Sequence, residues 1–133
     1  MFRAAATLSK LALALGLALP ASACLAAAAA GAAGGIYFTT RGAESLVEGP
    51  IDQVTARAEA VMGEMQIVKE GESSERGGDE RELKGKKGDL DVTIQLKRES
   101  PTTTKVEVTA RESLAEWDKE YAQQVLERIV KQG

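Results

Sequence analysis

The chain contains no histidine, a single cysteine and few aromatic residues, with two Phe, two Tyr and one Trp among 133 residues. Without imidazole there is no histidine base to activate a hydroxyl or a water, and no histidine ligand for a metal. The lone cysteine, Cys24, excludes an intrachain disulfide. No serine stands in the Gly-x-Ser-x-Gly setting of a nucleophile elbow. The glycine-rich stretch Glu70–Gly78 lacks the Gly-Lys-Ser/Thr ending of a phosphate loop, and its glutamates with Asp79 lack calcium-loop spacing. The neighbouring carboxylates Asp89 and Asp91 read as alternating strand charges rather than an acid and base pair. These absences predict no catalytic residues, no cofactor and no metal site.

Basic charge is also in short supply, with 17 Lys and Arg against 20 Asp and Glu, a net charge of -3. Residues 24–133 keep 15 of those bases and all 20 acids, so their net charge is -5. Nucleic acid, which calls for a basic face, is not an expected partner. Nor does this balance favour docking of the domain on anionic lipid headgroups. With so few rings, the core has to be built from Val, Ile, Leu, Met and Ala.

What is present begins at the N-terminus. Arg3 and Lys10 precede the apolar run Leu11–Leu19, and small residues lead through Pro20-Ala21-Ser22-Ala23 to Cys24. This is the layout of a secretory signal, in which basic residues stay on the cytoplasmic side, the apolar run enters the translocon and small side chains fit a peptidase. Cysteine directly after such a box is the place of lipid attachment, although Ala21 stands where such boxes usually carry Leu, Val or Ile. Lipidation at Cys24 would also consume the odd thiol of an exported chain. Each buried methylene contributes about 0.8 kcal/mol of membrane affinity, so several acyl chains hold a protein permanently. Two other readings of the segment are an uncleaved spanning helix, since no charge falls between Lys10 and Arg41, and ordinary secretion. Lipidation and a spanning helix both place the globular part outside the cytoplasm, held at a membrane.

The expected organisation is a signal peptide over 1–23, a lipid-anchored Ala/Gly-rich spacer over 24–35 and one small α+β domain over 36–133. Ile36, Phe38 and Thr40 alternate with Tyr37, Thr39 and Arg41 as a strand that Gly42 bends. Pro50 opens a helix whose Ile51, Val54, Ala58, Val61, Met62 and Met65 share one face. Residues 65–69 read as a short extended piece, and 70–78 as a loop. Leu90, Val92, Ile94 and Leu96 alternate with polar residues, as do Val106, Val108 and Ala110, which predicts a hairpin across Glu99–Thr102. Glu82–Gly85 pairs with the first of these strands across Lys86–Asp89. Ser113 with Glu116 has capping-box spacing and predicts a helix to about Lys131, with Trp117, Tyr121, Val125 and Ile129 on its apolar stripe, joined by Ala122, Leu126 and Val130 on the adjoining flank. The sum is a two-layer α+β sandwich, an antiparallel sheet of about four strands with two helices packed on one face, in the order β-α-β-β-β-β-α. The opposite face, bearing Thr93, Gln95, Lys97, Lys105, Glu107 and Thr109, is polar and open.

Cys24, the segment Gly34–Phe38 with Gly42, the helix from Pro50 to Met65, the strand Val92–Leu96 and the stretch Val125–Ile129 together resemble a family of small bacterial lipoproteins of unknown function. In that family an Ala/Gly-rich stretch after the lipid cysteine leads into a glycine-aromatic strand. The resemblance implies a lipid anchor and a small α+β domain, and it implies no activity. The expected function is a noncatalytic interaction or structural module of the cell envelope, held to its membrane by the N-terminal lipid. Trp117 reads first as a packing anchor; an envelope protein is the expected partner, met by the polar sheet face or, if Trp117 stands exposed beside Tyr121, by that pair. The alternative is a carrier of a small ligand or lipid, which needs an apolar cavity lined by Val54, Val61 and Val125.

Overall fold

The computed structural model describes residues 32–132, so the expected signal peptide, Cys24 and residues 24–31 of the expected spacer lie outside the described residues. The order of elements follows from where apolar alternation is cleanest. Strands β5 (Leu90–Ser100) and β6 (Thr103–Arg111) form the central hairpin, with Pro101 and Thr102 at its turn. Val92, Ile94, Leu96, Val106, Val108 and Ala110 all point to one side and are buried, because successive side chains of a strand alternate between faces. Strand β4 (Glu80–Lys87) joins the free edge of β5, and β3 (Val68–Glu75) joins β4. On the other side β2 (Gly42–Glu48) pairs with β6 and β1 (Ala32–Phe38) with β2. The result is one six-stranded antiparallel sheet in the order β1-β2-β6-β5-β4-β3.

Helix α1 (Ile51–Glu64) lies over β3, β4 and β5, and helix α2 (Lys119–Lys131) over β1, β2 and β6, with the helices touching each other. The buried residues of α1, Ile51, Val54, Thr55, Ala58, Val61 and Met62, reproduce the predicted stripe, and Pro50 immediately precedes the helix. Ala122, Val125, Leu126, Ile129 and Val130 form the buried stripe of α2. Arg81 on β4 pairs with Asp52 in the first turn of α1, tying that helix end to the sheet. The α+β class and the two-layer plan are as expected.

Several details differ from the expectation. The sheet has six strands rather than about four, because residues 42–48 and 68–75 both join it. In β2 the inward positions are Ala43, Ser45 and Val47, and the small or polar side chains of the first two hide a strand that exists through its pairing with β6. Strand β3 is exposed along almost its whole length, so it carries no apolar pattern, and its backbone is ordered by hydrogen bonding to β4. Only the turn after it, at Arg76–Gly78, keeps the predicted loop character. Strand β1 begins at Ala32, four residues before the expected start at Ile36. The capping box at Ser113 is not used. Helix α2 is capped instead by Asp118, whose carboxylate accepts from the Tyr121 N–H at 2.9 Å.

Close approach of backbones explains one glycine. A Cβ on Gly85 of β4 would lie 2.7 Å from Met62 Cε of α1, 2.8 Å from Ile67 Cγ2 and 2.8 Å from the Val68 carbonyl oxygen. Gly85→Ala therefore overpacks the α1–sheet contact, and the expected loss is about 1–3 kcal/mol of unfolding free energy in urea denaturation. An unchanged midpoint would mean that α1 shifts without cost.

Candidate functional site

With both helices on one side, the outward side chains of the sheet remain uncovered, and register decides how they are grouped. Tyr37, Glu44, Glu107, Gln95, Glu82 and Ser73 stand in one row across all six strands. The next row holds Leu46, Lys105, Lys97, Glu80 and Glu75. These two rows bound a depression of about 340 Å³ on the open face. Tyr37, 58% exposed, and Leu46, 37% exposed, continue the same rows on the β1–β2 side, beyond the residues that line the depression.

The electrostatics within the depression are locally unfavourable. Glu44 faces Glu107, Lys97 faces Lys105 and Glu75 faces Glu80, each as a direct cross-strand pair. Directly opposed like charges stand about 4.5–5.5 Å apart at Cβ and destabilise a sheet. Neighbours along and across the strands relieve part of this. Lys105 pairs with Glu44 at 3.6 Å, Lys84 with Glu82 at 3.3 Å and Arg76 with Glu80 at 3.6 Å, while the Gln95 amide donates to Glu82 at 3.1 Å. Among the described residues, Glu107 and Lys97 take part in no ion pair.

The sequence placed Gln95, Lys97, Lys105 and Glu107 on this face, and the structure brings those four together. It missed Glu44, Glu75 and Glu80, which arrive on β2, β3 and the start of β4. The one available signal was the alternation of Glu44, Leu46 and Glu48 with Ala43, Ser45 and Val47.

Trp117 and Tyr121 take different places from those expected of an exposed pair. Trp117 precedes α2, bridges to Arg111 and is half-buried, with the Arg41 guanidinium 5.3 Å from its ring centre. Tyr121 packs against the core, and its hydroxyl is the buried side-chain oxygen without a hydrogen-bond partner among the described residues. Burial pushes the Tyr121 phenol above its ordinary value, the Asp118 carboxylate acts in the same direction, and Arg128 partly opposes both. In the loop before α2, Leu114 is 92% exposed.

A second surface depression, at the end of the sheet between the β4–β5 turn and this loop, is lined by Asp89, Glu112, Glu116 and Asp118 with Lys87. Lys87 is committed to the fold, donating to the Met65 carbonyl at 2.7 Å. Among the described residues no three potential metal ligands converge, and no helix is long and apolar enough to cross a membrane. Val54, Val61 and Val125 are fully buried in the core and line neither depression.

Two substitutions test this geometry. Tyr121→Phe removes an unpaired buried hydroxyl and is expected to stabilise the protein by about 1 kcal/mol at neutral pH. Below the ordinary phenol value of 10.0 folded and unfolded chains both keep the proton. Above it the unfolded chain releases its proton first, so wild-type stability falls as pH rises, and Tyr121→Phe should flatten that fall. Chemical denaturation across alkaline pH reads both effects. Glu107→Gln relieves its repulsion with Glu44 and should raise stability by roughly 0.2–1 kcal/mol, with the gain shrinking at high salt. A loss would show that Glu107 contributes to the fold.

Comparison with protein-family models and with curated proteins finds no match.

Proposed function

We propose that this chain is an exported bacterial lipoprotein, anchored at Cys24 to a membrane of the cell envelope, whose small domain holds a partner protein against its open sheet face without catalysis. The observation that carries the reading is the uncovered face itself. Its two charged rows form a concave, polar surface, with exposed Tyr37 and Leu46 further along the same rows, while the opposite face is closed by helices over an aliphatic core. A carrier needs an apolar cavity between its layers, and full burial of Val54, Val61 and Val125 supports a filled core instead. Catalysis would need a nucleophile with a positioned base, and the absence of histidine together with a signal-type setting for Cys24 supports a binding role. For the anchor, the support is the pattern of basic start, apolar run and small residues before Cys24.

Intact mass of the membrane-extracted protein, followed by fractionation, tests the anchor. The expected species begins at Cys24 with added acyl mass, and Cys24→Ala loses that mass and leaves the lipid-anchored fraction. A full-length, unacylated protein in the membrane would replace the lipid by a spanning helix. A soluble, unacylated product would overturn the envelope attachment.

A further inference from the structure

The like-charge pairs of the open face go against the stability of the sheet, yet three of them border one depression. Local conflicts of this kind concentrate where a surface serves binding rather than folding. Their arrangement carries specific information. Along β6, Lys105 and Glu107 are two residues apart and so share a face about 7 Å from one another. Across the strands Glu44 faces Glu107 and Lys97 faces Lys105, but Glu44 and Lys105 pair with each other at 3.6 Å, which leaves Glu107 and Lys97 as the charges of this group without an ion pair among the described residues. The depression therefore offers a negative seat and a positive seat at the spacing of alternate residues in an extended chain.

We propose that this depression binds an extended polypeptide segment carrying one basic and one acidic side chain two residues apart. The basic group sits on Glu107 and the acidic group on Lys97, diagonal neighbours about 7–8 Å apart with the Glu44–Lys105 pair beside them. An extended segment repeats on one face every two residues, so its alternate side chains reach both seats at once. A segment with two basic or two acidic groups satisfies one seat and is repelled at the other, which makes the pattern selective as well as attractive. Tyr37 and Leu46 end the same two rows and provide the apolar contact that exposed charges alone do not. This inference rests on the open face being the partner surface and is independent of the lipid at Cys24.

The test uses the full-length, isotope-labelled chain in detergent and three end-blocked peptides with the cores Ser-Lys-Ser-Glu-Ser, Ser-Lys-Ser-Lys-Ser and Ser-Glu-Ser-Glu-Ser. Amide and side-chain shifts are followed by NMR as each peptide is added. The mixed-charge peptide should give saturable shifts at Gln95, Lys97, Lys105 and Glu107, with binding at least about tenfold tighter than either single-sign peptide and weakening with salt. Glu107→Gln and Lys97→Gln should each remove most of that preference while leaving shifts in the helices unchanged. Equal binding of the Lys-Ser-Lys peptide would reduce the site to a general acidic surface and overturn the proposal. So would an absence of saturable shifts at millimolar peptide, or shifts centred elsewhere. The acylation state read in the mass experiment bears on none of these outcomes, so anchor and peptide site fail or hold separately.

Discussion

Burial of the inner face of the β5–β6 hairpin is the interaction on which the remaining structure depends. Val92, Ile94, Leu96, Val106, Val108 and Ala110 are at most 1% exposed, and among the described residues no aromatic ring is fully buried in the core. Covering such a side chain is worth about 1.5–3 kcal/mol, and an aliphatic plate of this size has to be covered for the chain to fold at all. Helices α1 and α2 do the covering with their own aliphatic stripes. The flanking strands β2 and β4 widen the plate by adding Ala43, Val47 and Leu83 to it.

Small residues set how close the layers come. Gly85 lets α1 approach β4 until Met62 and Ile67 occupy the space a side chain would take, and Ala43, Ala58, Ala110 and Ala122 are buried elsewhere in the core between helices and sheet. A core of short branched and unbranched residues packs thin and dense, so space between helices and sheet is taken up by the side chains themselves. Recognition then falls to the surface. One face of the sheet is fully used by folding and the other is free of that duty, which is how opposed like charges can persist there at a cost of tenths of a kcal/mol per pair.

The edges of the sheet are unlike each other. Strand β3 carries Lys69, Glu70, Glu72 and Glu75 and a register shift between Lys69 and Gly71, features that discourage pairing with another chain. The Lys69 ammonium is held above its ordinary value by its hydrogen bond to Glu72, with Glu59 of α1 reinforcing this, which links the exposed edge to the helix. Strand β1 has no charged residue, but it too has a register shift, between Ala32 and Ile36. The residues that follow β6 are shaped by local hydrogen bonds: Asp118 N–H donates to the Ala110 carbonyl at 2.7 Å and Glu112 N–H to the Glu116 carbonyl at 2.9 Å. That turn fixes Trp117 under Arg41 before α2 can start.

The sequence by itself determined the elements whose apolar period is strong. The stripe of α1, the alternation of β5 and β6, the turn at Pro101 and the inner stripe of α2 were all legible, because each buries a continuous face and so leaves a period of 3.6 or 2 in the residues. It also determined that the open face would be polar at Gln95, Lys97, Lys105 and Glu107. Tertiary structure decided the rest. Strand β3 has no buried face and exists only because β4 supplies hydrogen-bond partners, and β2 shows inward Ala43 and Ser45 that read as strand only beside Val108 and Val106. The start of α2 was a choice between two caps, Ser113 and Asp118, settled by the backbone turn that returns Asp118 to Ala110. Above all, the pairing of Glu44 with Glu107 and of Lys97 with Lys105 depends on register between strands distant in sequence. Register is a property of the assembled sheet, where a shift of one residue moves every side chain to the other face.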